Sequence, residues 1–295
     1  MKSRTHEKEN MANETSEFPF VSEYPRILSI AGSDSGGGAG IQADLKTFAA
    51  LGCYGMTAIT ALTAQNTLGV RAIHGVPAQM LRDQIDAVME DIGAQAVKIG
   101  MLHSPEIVQT VAEAIDRHAL QKVVLDPVMV ATSGAVLIDH PAISVLVREL
   151  FPRALVVTPN LDEASLLVGR PLCNESDMEA AAQEMLAMGA HAVLLKGGHM
   201  SGDLVCDLLL TKNGAAHWMR ASRIHSTNTH GTGCTLSSAI AANLALGATL
   251  LESVKAAHAY VRAALTAGST VRTGAGSGPL NHSHAPLAMQ LRIWL

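Results

Sequence analysis

Residues 229–235, which read Thr-His-Gly-Thr-Gly-Cys-Thr, form the segment of this chain best suited to chemistry. An apolar helical pattern follows at once, because Leu236, Ile240 and Leu244 recur every four residues. Two glycines ahead of a helix let backbone N–H groups converge, and the helix dipole adds positive potential, so the segment predicts an anion site. Cys234, in the first helical turn, is expected to favour the thiolate. A phosphate cradle beside an activated nucleophile or base favours phosphoryl transfer.

Other polar residues follow predicted strands. Lys196 comes after an apolar run and before two glycines, and a lysine at a buried sheet edge is unusual unless it meets an anion. We therefore expect it to contact a nucleotide phosphate. Asp126 ends another strand, while Asn160 and Glu163 have the spacing of a capping box, in which each satisfies a backbone N–H at the helix start.

A glycine-rich run at residues 36–40 joins the first predicted strand to the first helix and lets the backbone approach a ligand closely. One alternative for this run is a dinucleotide-binding fingerprint. The spacing does not fit GxGxxG, and the second strand ends at Gln65 and Asn66 rather than at an acid that could bind a ribose hydroxyl. The sequence also lacks GxxxxGK[ST], which argues against a P-loop kinase.

Alternating strand and helix patterns must position these residues. The predicted strands are short apolar runs, as expected for a parallel sheet that is buried on both faces. They cover residues 27–31, 56–62, 96–99, 123–125, 155–157 and 192–195. Alternating βα units predict a doubly wound αβα sandwich with its sites at the carboxyl ends of the strands.

Turn and cap signals mark the boundaries of further elements. Ser104 before Pro105 predicts a helix start. Ser176 with Glu179 predicts a capping box for a helix that Gly189 ends. Asn213 and Gly214, a dipeptide typical of hairpin turns, predict a hairpin over residues 205–220.

Composition restricts the class of protein. Of the 295 residues 48% are hydrophobic, and a net charge of −5 without a basic stripe argues against nucleic acid as a partner. The four cysteines form no CxxC pair, so we expect neither disulfides nor a zinc site, and a cytoplasmic location fits. The sequence contains no run of 18 apolar residues, so we expect no transmembrane helix. Residues 1–25 lack the apolar core of a secretory signal and are expected to be a disordered tail before one domain at 26–295.

The ordered set of motifs resembles that of the ribokinase-like kinases of vitamin precursors, and most closely the hydroxymethylpyrimidine/phosphomethylpyrimidine kinase family of thiamine biosynthesis. Residues 229–234 resemble the anion-hole motif, with Cys234 where most of the superfamily has an aspartate base. The similarity runs from about Arg26 to His284. The other motifs that carry it are residues 31–34, 37–44, 60–67, 98–102, 125–129, 158–164 and 195–199.

This resemblance implies a ribokinase-like three-layer αβα sandwich with a mostly parallel central sheet. It also implies ATP- and Mg²⁺-dependent phosphorylation of 4-amino-5-hydroxymethyl-2-methylpyrimidine, and of its monophosphate to the diphosphate. Gly231 and Gly233 are the implied catalytic anion hole, with Cys234 as the base or as a group that positions the attacking oxygen. Glu163, acting through water, and Asp126 are the implied metal residues, since Mg²⁺ takes few protein ligands.

The resemblance also implies which residues bind the two substrates. The pyrimidine residues are Ala39, Asp44, Gln65, Met101 and Val128, and the nucleotide residues are Asn160, Lys196, Thr229, Gly231, Thr232 and Gly233. An amide and a carboxylate together could match the amino group and ring nitrogen of an aminopyrimidine. The chain departs from the family at Thr227, where lysine is common, and Arg220 or Arg223 is the alternative source of positive charge.

Two other functions remain open at this point. A pyridoxal or pyridoxine kinase would share the fold, the ATP site and a hydroxymethyl-bearing aromatic substrate. A non-catalytic sensor of vitamin precursors on the same fold is the alternative from another class, although an intact Cys234, Lys196 and Glu163 argue against it. A small pyrimidine is the expected partner, and no membrane partner is expected. A homodimer remains open, because the sequence does not determine the oligomeric state.

Overall fold

The computed structural model describes residues 22–129, 138, 140–198, 200 and 202–293. The strands in these residues are β1 Ser22–Glu23, β2 Arg26–Asp34, β3 Tyr54–Asn66, β4 Gly69–Gly75, β5 Ala96–Ile99, β6 Val123–Leu125, β7 Val156–Val157, β8 Ala192–Leu195, β9 Leu204–Thr211, β10 Ala216–Ser222 and β11 Arg292–Ile293. The helices are α1 Gly40–Ala50, α2 Ala78–Asp91, α3 Pro105–Arg117, α4 His140–Leu150, α5 Leu161–Val168, α6 Glu175–Ala187, α7 Thr232–Ala245 and α8 Leu250–Gly268. A 3₁₀ turn follows α4 at Phe151–Arg153.

The central sheet of the described residues has the strand order β10-β9-β8-β7-β6-β5-β2-β3-β4. The six strands from β8 through β7, β6, β5 and β2 to β3 are parallel. Antiparallel hairpins extend the sheet at both edges, β9 with β10 at one and β3 with β4 at the other. The parallel strands all end on the same side, so the loops that follow them meet there.

Helices cover both faces of this sheet. Helices α2 to α6 bury residues such as Leu81, Val111 and Met185 on one face, and α1, α7 and α8 bury Phe48 and Ile240 on the other. The central strands have apolar side chains on both faces because both faces are covered. The structure therefore confirms the predicted three-layer αβα sandwich with a mostly parallel central sheet.

The helix-cap prediction is confirmed for α3 and wrong for α6. The Ser104 side chain accepts a hydrogen bond from the Ile107 N–H, as predicted for the start of α3. Helix α6, however, begins one residue before Ser176, and Asn174 is its N-cap, accepting from the Asp177 N–H at 2.9 Å. Both positions have side chains suited to capping, and sequence alone did not separate them.

Two regions differ from the predicted boundaries. Strand β3 continues four residues beyond Leu62 and pairs with β4, a largely exposed strand without the apolar run used to predict the others. Residues 22–25 of the predicted tail belong to the fold, since β1 pairs with β11 and Glu23 forms an ion pair with Arg26. Residues 1–21 lie outside the described residues. No helix among the described residues is long and apolar enough to cross a membrane.

Candidate active site

A cavity of about 1040 Å³ lies where the parallel strands end. Its lining includes every predicted site residue except Asp44: Ala39, Gln65, Met101, Asp126, Val128, Asn160, Glu163, Lys196, Thr229, Gly231, Thr232, Gly233 and Cys234. These residues come from loops far apart in sequence, so the fold gathers them into one site. A concave site with a few convergent polar groups is typical of small-molecule binding.

The predicted anion site forms the start of α7. Gly231 is the N-cap residue, with φ +83°, a left-handed conformation that favours glycine. A β-carbon at this position would lie 1.8 Å from the Gly38 carbonyl oxygen, so any side chain would push the two loops apart. The first turn of α7 therefore lies along the cavity without a side-chain cap. The Thr232 N–H donates to the Thr229 carbonyl oxygen at 3.2 Å, and the N–H groups beside it can bind an anion.

Lys196 lies against this helix start. A β-carbon on Gly233 would be 3.2 Å from the Lys196 Nζ atom, and the same ammonium group lies 3.0 Å from the Asp126 Oδ1 atom. Burial disfavours both charges, but Lys196 and Lys98 hold the pKa of Asp126 below its usual range. The two acidic neighbours of Lys196 raise its pKa in turn despite its burial, so the pair stays ionised.

Asn160 and Glu163 form the predicted capping box at the start of α5. The Asn160 side chain accepts from the Glu163 N–H at 2.9 Å, and the Glu163 carboxylate accepts from the Asn160 N–H at 2.8 Å. Burial is the main cause that raises the pKa of Glu163 to about 7; the charge of Lys196 opposes this shift and the nearby Asp126 adds to it. Asn160 and Glu163 therefore cap α5 and also line the cavity that contains the anion site.

The Cys234 thiol lines the cavity at the first turn of α7, but the expectation of a favoured thiolate is wrong. Burial raises its pKa to about 11, and the positive charge of Lys98 offsets that effect only in part. The helix terminus alone does not overcome desolvation. At neutral pH Cys234 is therefore a neutral thiol.

Asp44 lies beneath the cavity rather than in its lining, which corrects the prediction that it borders the substrate. It is fully buried, and its carboxylate accepts hydrogen bonds from Ser29 at 2.6 Å, Lys98 at 3.0 Å and Ser238 at 2.6 Å. An ionised carboxylate is stable in the interior only when it is paired in this way. Both oxygens are thus engaged with protein groups, and Asp44 supports the floor of the site.

The two arginines considered as substitutes for the family's lysine both line the cavity but already bind other groups. Arg220 forms a 2.6 Å ion pair with Glu175. Arg223 donates to the carbonyl oxygens of Gly198, Met200 and Gly202, which fixes the loop after β8. Arg223 therefore shapes the site through backbone contacts.

Sequence reasoning missed two pairs of polar residues in the lining. His230 Nε2 lies 2.9 Å from Asp34 Oδ2, and His258 Nε2 lies 3.2 Å from Asp207 Oδ2. Their members are 196 and 51 residues apart, so no local pattern pairs them. Asp34 and His230 each lie within a motif that resembles the kinase family, and this was the one feature of the sequence that could have pointed to them.

Comparison with known proteins decides the family. A sequence profile described as phosphomethylpyrimidine kinase matches residues 34–281. The chain belongs to this family. It is 52% identical to the hydroxymethylpyrimidine/phosphomethylpyrimidine kinase of Rhizobium meliloti over 87% of this chain and 96% of that protein. It is 44% identical to the Escherichia coli protein of the same name, over 88% and 97% of the two chains.

Solved structures similar to this chain include a phosphomethylpyrimidine kinase and a pyridoxal kinase. The phosphomethylpyrimidine kinase of Clostridium difficile is 44% identical, with a TM-score of 0.71 over 80% of this chain and 97% of that one. A Bacillus subtilis pyridoxal kinase, solved with ADP, is 36% identical, with a TM-score of 0.81 over 89% and 98%. Membership makes this chain a phosphotransferase, and the sensor alternative finds no support among these relatives.

Proposed function

We propose that the chain transfers the γ-phosphoryl group of ATP to the hydroxymethyl oxygen of 4-amino-5-hydroxymethyl-2-methylpyrimidine, and then phosphorylates the monophosphate to the diphosphate for thiamine assembly. The observation that carries the proposal is the shared cavity, where an uncapped helix start, the Cys234 thiol and the Lys196–Asp126 pair meet an apolar pocket. Relatives that are 44–52% identical bear the name of this activity.

The pyrimidine is proposed to bind between Ala39, Gln65, Met101 and Val128. Met101 is 7% exposed and offers an apolar surface to the ring. The Gln65 side-chain oxygen lies 3.1 Å from the Thr63 hydroxyl, and its amide nitrogen lies 3.4 Å from the His230 ring. A half-buried amide offers both a donor and an acceptor, which suits the adjacent amino group and ring nitrogen of an aminopyrimidine.

The transfer step is a displacement at phosphorus. A bond forms between the substrate oxygen and the γ-phosphorus while the bond to the β,γ-bridging oxygen breaks, and ADP leaves. The proton of the hydroxymethyl group passes to an oxygen of the transferred phosphoryl group and from there to water. Backbone N–H groups at Gly231 and Gly233, with Lys196, are proposed to neutralise the charge that develops on the phosphoryl oxygens, and Thr232 lies beside them in the first turn of α7. Phosphoryl transfer through a loose transition state depends mostly on positioning and charge, so a neutral Cys234 thiol can act by hydrogen-bonding the attacking oxygen.

Mg²⁺ is the proposed metal, and the available carboxylates suit it. Within the described residues, no group of three or more His, Cys, Asp or Glu side chains could hold a metal ion. Mg²⁺ that is bound to nucleotide phosphates needs only one or two carboxylates, because it keeps several waters. Asp126 and Glu163 would hold it, and when bound it would add positive charge at the phosphates. Asn160, Lys196 and Thr229 are proposed to contact those phosphates.

The test is an ADP-release assay with purified protein and three substrates: the hydroxymethylpyrimidine, its monophosphate and pyridoxal. We expect turnover of both pyrimidines, dependence on added Mg²⁺, and much weaker turnover of pyridoxal. A preference for pyridoxal would instead support the pyridoxal kinase alternative, which structural neighbours such as the Bacillus subtilis enzyme represent. Turnover of the hydroxymethylpyrimidine without turnover of its monophosphate would overturn the second step alone.

A further inference from the structure

The hydrogen bond between Asp34 and His230 joins two loops that approach the cavity from distant parts of the chain. Asp34 ends β2 and begins the glycine-rich loop, residues 34–40, while His230 precedes the N-cap of α7. The Nε2–Oδ2 distance is 2.9 Å, and both side chains line the cavity. Each residue is mostly buried, so the contact is shielded from water.

Asp34 organises the glycine-rich loop. Its carboxylate accepts hydrogen bonds from the N–H groups of Gly36, Gly38 and Ala39, at 2.8, 3.1 and 2.9 Å. Although burial opposes the charge, the hydrogen bonds from His230 and from the Ala39 and Gly36 amides hold the pKa of Asp34 below its usual range. An ionised carboxylate can only accept, so the Nε2 atom of His230 carries the proton and donates. One carboxylate therefore fixes both the loop and the histidine.

The two backbones also touch directly. A β-carbon on Gly38 would lie 2.4 Å from the His230 ring, and one on Gly231 would lie 1.8 Å from the Gly38 carbonyl oxygen. The imidazole thus packs against Gly38 so closely that a β-carbon there would collide with the ring. The backbone of His230 is fixed as well, because its N–H donates to the Gly278 carbonyl oxygen at 3.1 Å.

These contacts connect the two halves of the site. The glycine-rich loop carries Ala39 at the pyrimidine pocket, and its last residue, Gly40, lines the cavity together with Cys234. The other loop leads into the anion hole at Gly231. A shift between the loops would change the distance from the acceptor oxygen to the phosphoryl group, without removing any group that binds the nucleotide.

We propose that His230 is a positioning residue whose hydrogen bond to Asp34 holds the pyrimidine-binding loop and the anion hole at the separation required for phosphoryl transfer. This inference rests on the proposed function. A misplacement of about 1 Å between reacting groups can cost roughly 100-fold in rate. Loss of the bond should therefore reduce kcat, while the affinity for nucleotide, which depends on α7 and Lys196, stays the same.

The test compares His230→Gln, His230→Asn and His230→Ala, with His74→Gln on the exposed strand β4 as the matched control. A glutamine amide reaches the place of Nε2 and can donate to Asp34, whereas an asparagine amide reaches only the place of Nδ1. We expect kcat to fall roughly 10- to 100-fold in the Asn and Ala variants, to recover largely in the Gln variant, and to stay unchanged in the control. The ATP dissociation constant, from calorimetry, and Tm should remain near those of the wild type.

Equal kcat values for Ala and wild type would overturn the inference, as would a Gln variant no better than Asn. A fall in kcat accompanied by an equal loss of ATP affinity or by a large drop in Tm would also overturn it, because His230 would then only support the fold of α7. The wild-type assay with the pyrimidine is the separate test of the proposed function. If the proposed function is wrong, turnover of the pyrimidine will be absent from the wild type, from every His230 variant and from the His74→Gln control alike.

Discussion

Cys234 shows how one residue's surroundings set its chemistry. Because burial raises its pKa to about 11, we predict that the thiol acts as a neutral hydrogen-bonding group near pH 7. Cys234→Ala, which removes the group that positions the attacking oxygen, should lower kcat for the hydroxymethylpyrimidine by roughly 100-fold, with the ATP dissociation constant nearly unchanged. Cys234→Ser keeps a hydroxyl in the same place and should retain far more activity. If serine is as inactive as alanine in steady-state assays, positioning alone is not sufficient and thiolate chemistry is required.

Gln65 is the residue whose substitution best separates the two kinase substrates. It lies at the cavity end of β3, with its amide near Thr63 and His230. A pocket built for hydrogen bonds loses about 1–3 kcal/mol when one polar partner is left unpaired. Gln65→Leu should thus reduce kcat/KM for the hydroxymethylpyrimidine roughly 5- to 150-fold. Pyridoxal, whose ring carries no exocyclic amine, serves as the comparison substrate. Unchanged pyrimidine turnover in this variant would contradict the assigned pocket.

At the scale of elements, helices α5 and α6 provide a matched comparison of a cap inside the site and one outside it. Asn160 and Asn174 each accept from a backbone N–H three residues on, both at 2.9 Å, but only Asn160 lines the cavity. Asn160→Ala and Asn174→Ala should each cost about 1 kcal/mol in the free energy of unfolding. Only Asn160→Ala should also raise the KM for ATP and the Mg²⁺ requirement. Equal kinetics in the two variants would show that Asn160 is a cap alone.

At the scale of the whole molecule, His282 joins the C-terminal segment to the helical layer of α7 and α8. Its ring nitrogen lies 3.0 Å from the Thr235 hydroxyl, and its carbonyl oxygen accepts from the Tyr260 hydroxyl at 2.6 Å. Burial lowers its pKa to about 4, assisted by the charge of Lys46. The segment that follows α8 is therefore held by a histidine that is neutral in the folded protein.

This histidine predicts a stability loss in acid. The unfolded chain binds a proton on His282 near pH 6.5, whereas the folded protein resists it down to about pH 4. The folded state is thus fully favoured above pH 6.5, and its advantage declines as the pH falls toward 4, by about 3 kcal/mol in total. Denaturant unfolding from pH 7 to 4 should show a shallower decline in His282→Gln than in the wild type. Parallel curves would contradict the assigned cause.

The sequence by itself determined the layered fold and named most of the residues that the fold gathers around one cavity. Short apolar strands, helix caps and glycines at strand ends are local patterns with local causes, so α3, the α5 capping box and the glycine start of α7 were predicted correctly. The ordered motifs identified the family, and all predicted site residues except Asp44 line one cavity.

Only the tertiary structure decided the remaining points, because they depend on burial and on contacts between distant residues. Burial raises the pKa of Cys234 to about 11 and keeps it a thiol, although its position at the start of a helix favours the thiolate. Lys98, 54 residues away in sequence, binds Asp44 beneath the cavity. Likewise, the Asp34–His230 bond spans 196 residues. The pKa of a group and the partner of a buried charge follow from the desolvation and packing that the folded chain imposes.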